Sequence, residues 1–176
     1  MKVLIQRVKE ASVTINNEIY SKIDNGILAF IGVEQGDTQE NAQYLAKKIV
    51  NLRIFPDKNG KMNKSLCDIQ GEVLIVSQFT LCGDCKKGTR PSFDKSASPD
   101  IAEYLYDMFV KDVKTYGVNV QTGQFGAMMD VALINDGPVT FMIENSDRIK
   151  DKIRGRIEKR IEIRNEKRKE KNEALV

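Results

Sequence analysis

Two short apolar runs constrain what this chain can fold into more than any other feature. Ile27 to Val33 holds seven residues, Gly32 among them, and Val73 to Val76 forms the apolar heart of a longer segment, Glu72 to Leu81. A membrane span needs roughly 18 apolar residues, so neither run crosses a bilayer, and each reads as a buried strand. Further β-branched stretches join them: Val3 to Val8, Ser12 to Asn16 and Glu18 to Ile23, with Asn16-Asn17 as a hairpin turn. Strands are also expected around Val118 to Gln121, Met128 to Ile134 and Val139 to Glu144, and Asp57-Lys58-Asn59-Gly60 reads as a turn. Two segments carry helical spacing. Asp37 or Thr38 can cap a helix with Ala42, Leu45, Ala46, Ile49 and Leu52 on one face. Ser98-Pro99 opens another, with Ile101, Leu105, Met108, Phe109 and Val113 inward. Two helices among many strands predict an α+β body, a curved, barrel-like mixed sheet packed with the two helices.

Charge divides the chain near Ser146. Residues 147–176 hold twelve Lys and Arg against seven Asp and Glu, a net of +5, whereas residues 1–146 carry −2. In the tail Ile149, Ile153, Ile157 and Ile161 recur every fourth residue, and Glu158, Glu162, Glu166 and Glu170 keep the same step beside a basic stripe. This spacing predicts a charged C-terminal helix appended to a domain of residues 1–146. Two readings stay open for it. It is a solvated helix whose isoleucine stripe docks on the body or a second subunit, or an electrostatic grip on a phosphate backbone.

Composition excludes much chemistry. The 176 residues include no histidine, which rules out Ser-His-Asp and Cys-His catalysis and any His-ligated zinc. Three cysteines cannot close a disulfide framework, and the opening Met1 to Ile5 gives way to Gln6-Arg7 too early for a signal peptide. A reducing, cytoplasmic setting is therefore expected. Cys82-Gly83-Asp84-Cys85 is a C-x-x-C, but Cys67 is the one other thiol, so incidental loop thiols outweigh a redox pair or a zinc half-site. Gly83 to Gly88 has the glycine spacing of a phosphate-binding loop, yet Thr89 stands where its lysine belongs. Lys86, Lys87, Arg90 and Lys95 form a basic cluster after the central strand, either a solvated loop or a face for phosphates. No metal or cofactor is expected.

Two segments break the local pattern. Ser77-Gln78-Phe79-Thr80-Leu81 puts three polar side chains at the end of a strand built for burial, an inconsistency enriched at functional sites. Asn135-Asp136-Gly137-Pro138-Val139-Thr140 lies between two apolar strands, as a hairpin turn or as a rigid element that presents carbonyls. Together they resemble the two signature motifs of the D-aminoacyl-tRNA deacylases. The resemblance spans about residues 1–145 and takes in Ile5-Gln6-Arg7-Val8, Ala11-Ser12-Val13, Asn51 to Phe55, Gly88 to Phe93 and Gly123 to Ala127. It does not extend to the basic tail, and Cys82 to Cys85 departs from the family's aromatic-small-Asp sequence.

The resemblance implies a homodimer that hydrolyses the ester between a D-amino acid and the terminal adenosine of tRNA, without cofactor or metal. It implies a cis Gly137-Pro138 that enters the partner's active site and faces Ser77, Gln78, Phe79 and Thr80. Backbone N–H groups of Phe79 and Thr80 would serve a developing oxyanion, with Ser77 and Gln78 organising the site and the Thr80 hydroxyl in support. Arg7 would orient the Gly-Pro element, and Phe125, Gly126 and Met129 would shape the adenosine pocket. Rejection of L-esters by a clash would leave glycyl esters poorly excluded. The competing classes are a non-catalytic RNA-binding module, resting on the tail and the basic loop, and a thiol-based redox or metal protein. Neither accounts for both signature segments.

Overall fold

The computed structural model describes residues 1–144 together with Gly155; apart from that glycine, the tail helix expected over 147–176 lies outside the described residues. The chain runs β1 (Lys2–Ile15), β2 (Glu18–Ile23), β3 (Gly26–Gly32), α1 (Gln39–Asn51), β4 (Phe55–Pro56), β5 (Met62–Lys64), β6 (Glu72–Ser77), α2 (Pro99–Lys114), β7 (Asn119–Thr122) and β8 (Asp130–Glu144). A 3-10 turn, Phe79–Cys82, follows β6. Asn16 and Asn17 both take positive φ, 53° and 66°, the left-handed pair that a two-residue hairpin loop between right-twisted strands requires. Thr38 and Asn41 form a reciprocal cap on α1, and Ser98-Pro99 starts α2 as the sequence indicates.

Six strands form one sheet in the order β2-β1-β3-β6-β7, with β8 on the other side of β1; β4 and β5 make a separate hairpin. β3, β6 and β7 pair in parallel and the rest antiparallel. The sheet curls until β2 returns against β6 and β7, giving the barrel-like α+β body. Both faces of β3 and β6 are covered, which is why those strands read as unbroken apolar runs. Ile27, Ala29, Ile31, Val73 and Ile75 meet α1 and α2, whereas Leu28, Leu74 and Val76 face the barrel interior with Val8, Val13 and Ile23.

The structure corrects four local expectations. Val3 to Val8 and Ser12 to Asn16 belong to one strand, because β1 is long enough to pair with β3 at one end and β2 at the other. The strand expected over Glu72 to Leu81 stops at Ser77. Residues 128–134 and 139–144 are not two strands about a hairpin, since β8 runs through both. In α2, Ile101 is 53% exposed: it sits in the first turn, ahead of the inward stripe of Leu105, Tyr106, Phe109 and Val113. Among the described residues no helix is long and apolar enough to cross a membrane.

Candidate functional site

Gln78 is where the chain leaves the sheet. Its N–H still donates to the Ile31 carbonyl at 2.7 Å, but its backbone (φ −149°, ψ 82°) has left strand geometry. The 3-10 turn then closes through Leu81 N–H to the Gln78 carbonyl (3.2 Å) and Gly83 N–H to the Thr80 carbonyl (3.0 Å). Gly32 makes room for it, since a Cβ there would lie 2.9 Å from Leu81 Cβ and 3.2 Å from the Gln78 carbonyl oxygen. The break in the apolar run of β3 is thus what lets the next element fold over the strand end.

This turn holds its polar groups outward. The first N–H groups of a helical turn have no acceptor within it, and among the described residues no backbone hydrogen bond starts from Phe79 or Thr80. Gln78 Nε2 donates to Thr80 Oγ1 at 2.5 Å, tying the two side chains together. Among the described residues no carboxylate is hydrogen-bonded to the Thr80 hydroxyl. Phe79 is 58% exposed and meets Phe93 edge to face, with ring centroids 5.0 Å apart.

The second signature segment sits in β8 as a large bulge. Gln6 pairs with Thr140, yet Val8, two residues on, pairs with Asn135, five residues back. The extra residues loop out opposite Arg7, and Gly137-Pro138 within them is cis. Arg7 pins this loop. Its Nε lies 2.7 Å from Asp136 Oδ2 and donates to the Asp136 carbonyl at 3.0 Å, while its Nη1 donates to the Ile54 carbonyl. Asn135 closes the other side, its Nδ2 donating to the carbonyls of Arg7 and Val139, both at 3.2 Å. A Cβ on Gly137 would come within 2.4 Å of Asn135 Oδ1, so any side chain there must push the Asn135 amide out of this clamp. Sequence reasoning assigned no role to Asn135 or Asp136; their place beside Gly137 was the available signal.

Within one chain the two segments do not meet. Ser77 is level with Ile31, Ile31 with Val3, and Val3 with Ile143, whereas Gly137 is level with Arg7, four residues along β1. At about 3.4 Å per residue and about 4.8 Å per strand, this puts them on the order of 20 Å apart over the sheet.

The D-Tyr-tRNA(Tyr) deacylase family matches residues 4–144. This chain belongs to that family. Among its deacylase relatives, the D-aminoacyl-tRNA deacylases of Bacillus mycoides (strain KBAB4) and Bacillus thuringiensis (strain Al Hakam) are 56% and 55% identical over 145 residues, 82% of this chain and 99% of theirs. A solved structure titled c-Myc DNA Unwinding Element Binding Protein is 42% identical with a TM-score of 0.79, covering 82% of this chain and 99% of that one. One described as a probable eukaryotic D-amino acid tRNA deacylase shares the fold, with a TM-score of 0.69 at 21% identity over 81% and 97% of the two chains. The deacylase family match ends at Glu144, ahead of the basic tail.

The other residues singled out in this deacylase-family chain are scattered. Phe125 is half-buried with its ring on Tyr106 (centroids 5.9 Å apart), whose hydroxyl donates to the Ile75 carbonyl at 2.8 Å. Gly126 is exposed with φ 73°, and half-buried Met129 lies toward the barrel interior over Gly123. Cys82 is buried and donates its Sγ hydrogen to the Val33 carbonyl at 3.4 Å; burial pushes its thiol pKa up, away from the reactive thiolate. Cys85 is exposed, and among the described residues no group of three or more Cys, Asp and Glu is placed to hold a metal.

Proposed function

We propose that this chain hydrolyses the ester bond of D-aminoacyl-tRNA, releasing the free D-amino acid and tRNA. The observation that supports the reading is the 3-10 turn, whose Phe79 and Thr80 N–H groups have no acceptor among the described residues, within the stretch that the deacylase family matches. An aminoacyl ester is already activated, so the reaction needs mainly orientation and donors aimed at the oxyanion. Two adjacent backbone N–H groups supply those donors. The substrate's own 2′-hydroxyl helps to position or activate water, which fits a chain without histidine. Gln78 fixes the Thr80 side chain in support of the turn, and Ser77 ends the strand that carries it.

The working unit in this reading is a homodimer, with Gly137-Pro138 of one copy facing Ser77, Gln78, Phe79 and Thr80 of the other. The separation of the two segments within a chain supports it, and so does β8. Among the described residues that strand pairs with β1 alone, and Ile134, Phe141 and Met142 are between 41% and 50% exposed, a face and edge that a second copy would cover. Carbonyls of the Gly-Pro element bind the α-amino group and fill the space an L-side chain needs, while a D-side chain points outward. Glycyl esters, with no side chain to clash, are poorly excluded. Phe125, Gly126 and Met129 would bound the adenosine side.

The test is hydrolysis of D-tyrosyl-tRNA and L-tyrosyl-tRNA by the purified protein with a chelator present. Rapid loss of the D-ester with the L-ester intact is expected. Binding of tRNA without cleavage of either would leave an RNA-binding module instead.

A further inference from the structure

Beyond the 3-10 turn, on its Gly83 side, lies a cleft of about 390 Å³ lined by Lys2, Lys86 and Lys95 together with Cys82, Gly83, Asp84 and Cys85. Its volume falls within the range of small-ligand sites, roughly 300–1,000 Å³. Lys2, Lys86 and Lys95 share this cleft with Asp84, whose Oδ1 accepts the Lys86 backbone N–H at 2.9 Å, and Glu34 and Glu144 lie beside Lys2. The ammoniums keep most of their donors. Lys95 Nζ is 3.7 Å from Asp84 Oδ2, and Lys2 Nζ is 3.5 Å from Glu34 and 3.8 Å from Glu144. Contacts of that length are electrostatic and do not use up N–H donors. Lys86 forms no ion pair among the described residues.

The cleft and the turn share a wall. Gly83 donates its N–H to the Thr80 carbonyl at 3.0 Å, and a Cβ at Gly83 would stand 3.0 Å from that oxygen and 3.1 Å from Phe93 Cε1. Phe93, 38% exposed, meets exposed Phe79 on the turn itself. Cations next to solvent-facing aromatic rings match the way single-stranded nucleic acid is held, with phosphates on the cations and bases on the rings.

We infer that this cleft is a phosphodiester subsite, in which Lys86 and Lys95, with Lys2 beside them, hold the phosphate that joins the terminal adenosine to the rest of the tRNA. The inference rests on the deacylase reading. In that reading the ester lies at the Phe79–Thr80 N–H groups, and the 5′-phosphate of the same nucleotide follows one ribose away. It must then leave the turn on a side that can neutralise it. The lysines act on binding of the chain, not on the ester.

The double variant Lys86→Gln/Lys95→Gln tests this, because both side chains are exposed and neither belongs to the turn. It is assayed on D-tyrosyl-tRNA and on D-tyrosyl-adenosine, which lacks the phosphate. The expected result is about a tenfold rise in KM for the tRNA ester with kcat unchanged, equivalent to about 1.4 kcal/mol of binding. The salt dependence of that KM should also become shallower by about 0.7 in log–log slope, because the two lysines hold one phosphate. Hydrolysis of D-tyrosyl-adenosine should not change. An unaltered KM for the tRNA ester would overturn the subsite, as would an equal loss on both substrates. Failure of the deacylase reading looks different: the unaltered protein would then cleave neither substrate.

Discussion

Arg7 and Asp136 face each other across the β1–β8 ladder, with Arg7 Nε 2.7 Å from the carboxylate and 3.0 Å from the backbone carbonyl of the same residue. The Arg7 side chain is 11% exposed and that of Asp136 33%, so the contact is partly shielded from water. One planar guanidinium thus serves the carboxylate and carbonyl of Asp136 and the carbonyl of Ile54, fixing the loop that carries Gly137-Pro138.

Replacing Arg7 with Ala should lower stability by about 2–3 kcal/mol, because Asp136 and two carbonyls lose a charged donor in a partly shielded position. Arg7→Lys should recover only part of this, since an ammonium cannot span the same acceptors with a fixed fork. Denaturant midpoints of the three proteins measure the loss. Selectivity between D- and L-esters should fall in the same order.

Gly137→Ala should displace the Asn135 side chain, because the new methyl would start 2.4 Å from Asn135 Oδ1. The bonds from Asn135 to the Arg7 and Val139 carbonyls then break. The variant should remain folded with a destabilisation of about 1–2 kcal/mol, and its D-to-L rate ratio should drop at least tenfold. A ratio equal to that of the unaltered chain would detach the clamp from chiral selection.

If, as proposed, the Thr80 hydroxyl only supports the turn, Thr80→Ala should cost no more than about tenfold in kcat and Thr80→Ser almost nothing. Single-turnover hydrolysis of the D-ester reads this directly. Loss of all activity in Thr80→Ala with full activity in Thr80→Ser would make the hydroxyl a chemical participant.

Acid sensitivity should trace partly to the β4–β5 turn. The Asn63 side-chain amide first, and then the N–H groups of Lys61 and Asn59, hold the Asp57 carboxyl below its ordinary 3.8. A carboxylate lowered by folding stabilises the folded state above its unfolded pKa, and that contribution is lost as pH falls through the lower folded value. Asp57→Asn should therefore melt at a lower temperature at pH 7, with the gap closing below pH 3.8. Melting curves across pH 2–7 would show whether the gap persists.

Much of this architecture was legible because its causes are local. Asn16-Asn17, Thr38 and Ser98-Pro99 mark element ends through backbone preference and capping, and the apolar runs of β3 and β6 mark strands covered on both faces. The errors arose where a distant neighbour decides. β6 ends at Ser77 because Gly32, on another strand, admits the turn against it. Residues 135–140 form a bulge and not a hairpin because β1 continues alongside, with Arg7 and Asn135 holding the loop. The candidate site was visible as two motifs with broken patterning. The separation between them was not, because it depends on register across four strands.

The most direct test of the account is whether the Gly137-Pro138 loop of one copy serves the turn of another. A chain altered at Gly137-Pro138, with its turn intact, is mixed with an excess of Gln78→Ala, which keeps its loop, and D- and L-tyrosyl-tRNA hydrolysis are followed after the rates of each variant alone are subtracted. The account predicts that the D-to-L ratio rises toward that of the unaltered protein as mixed dimers form. A ratio that stays at the loop variant's own value at every mixing proportion, with mixed dimers verified, would contradict it.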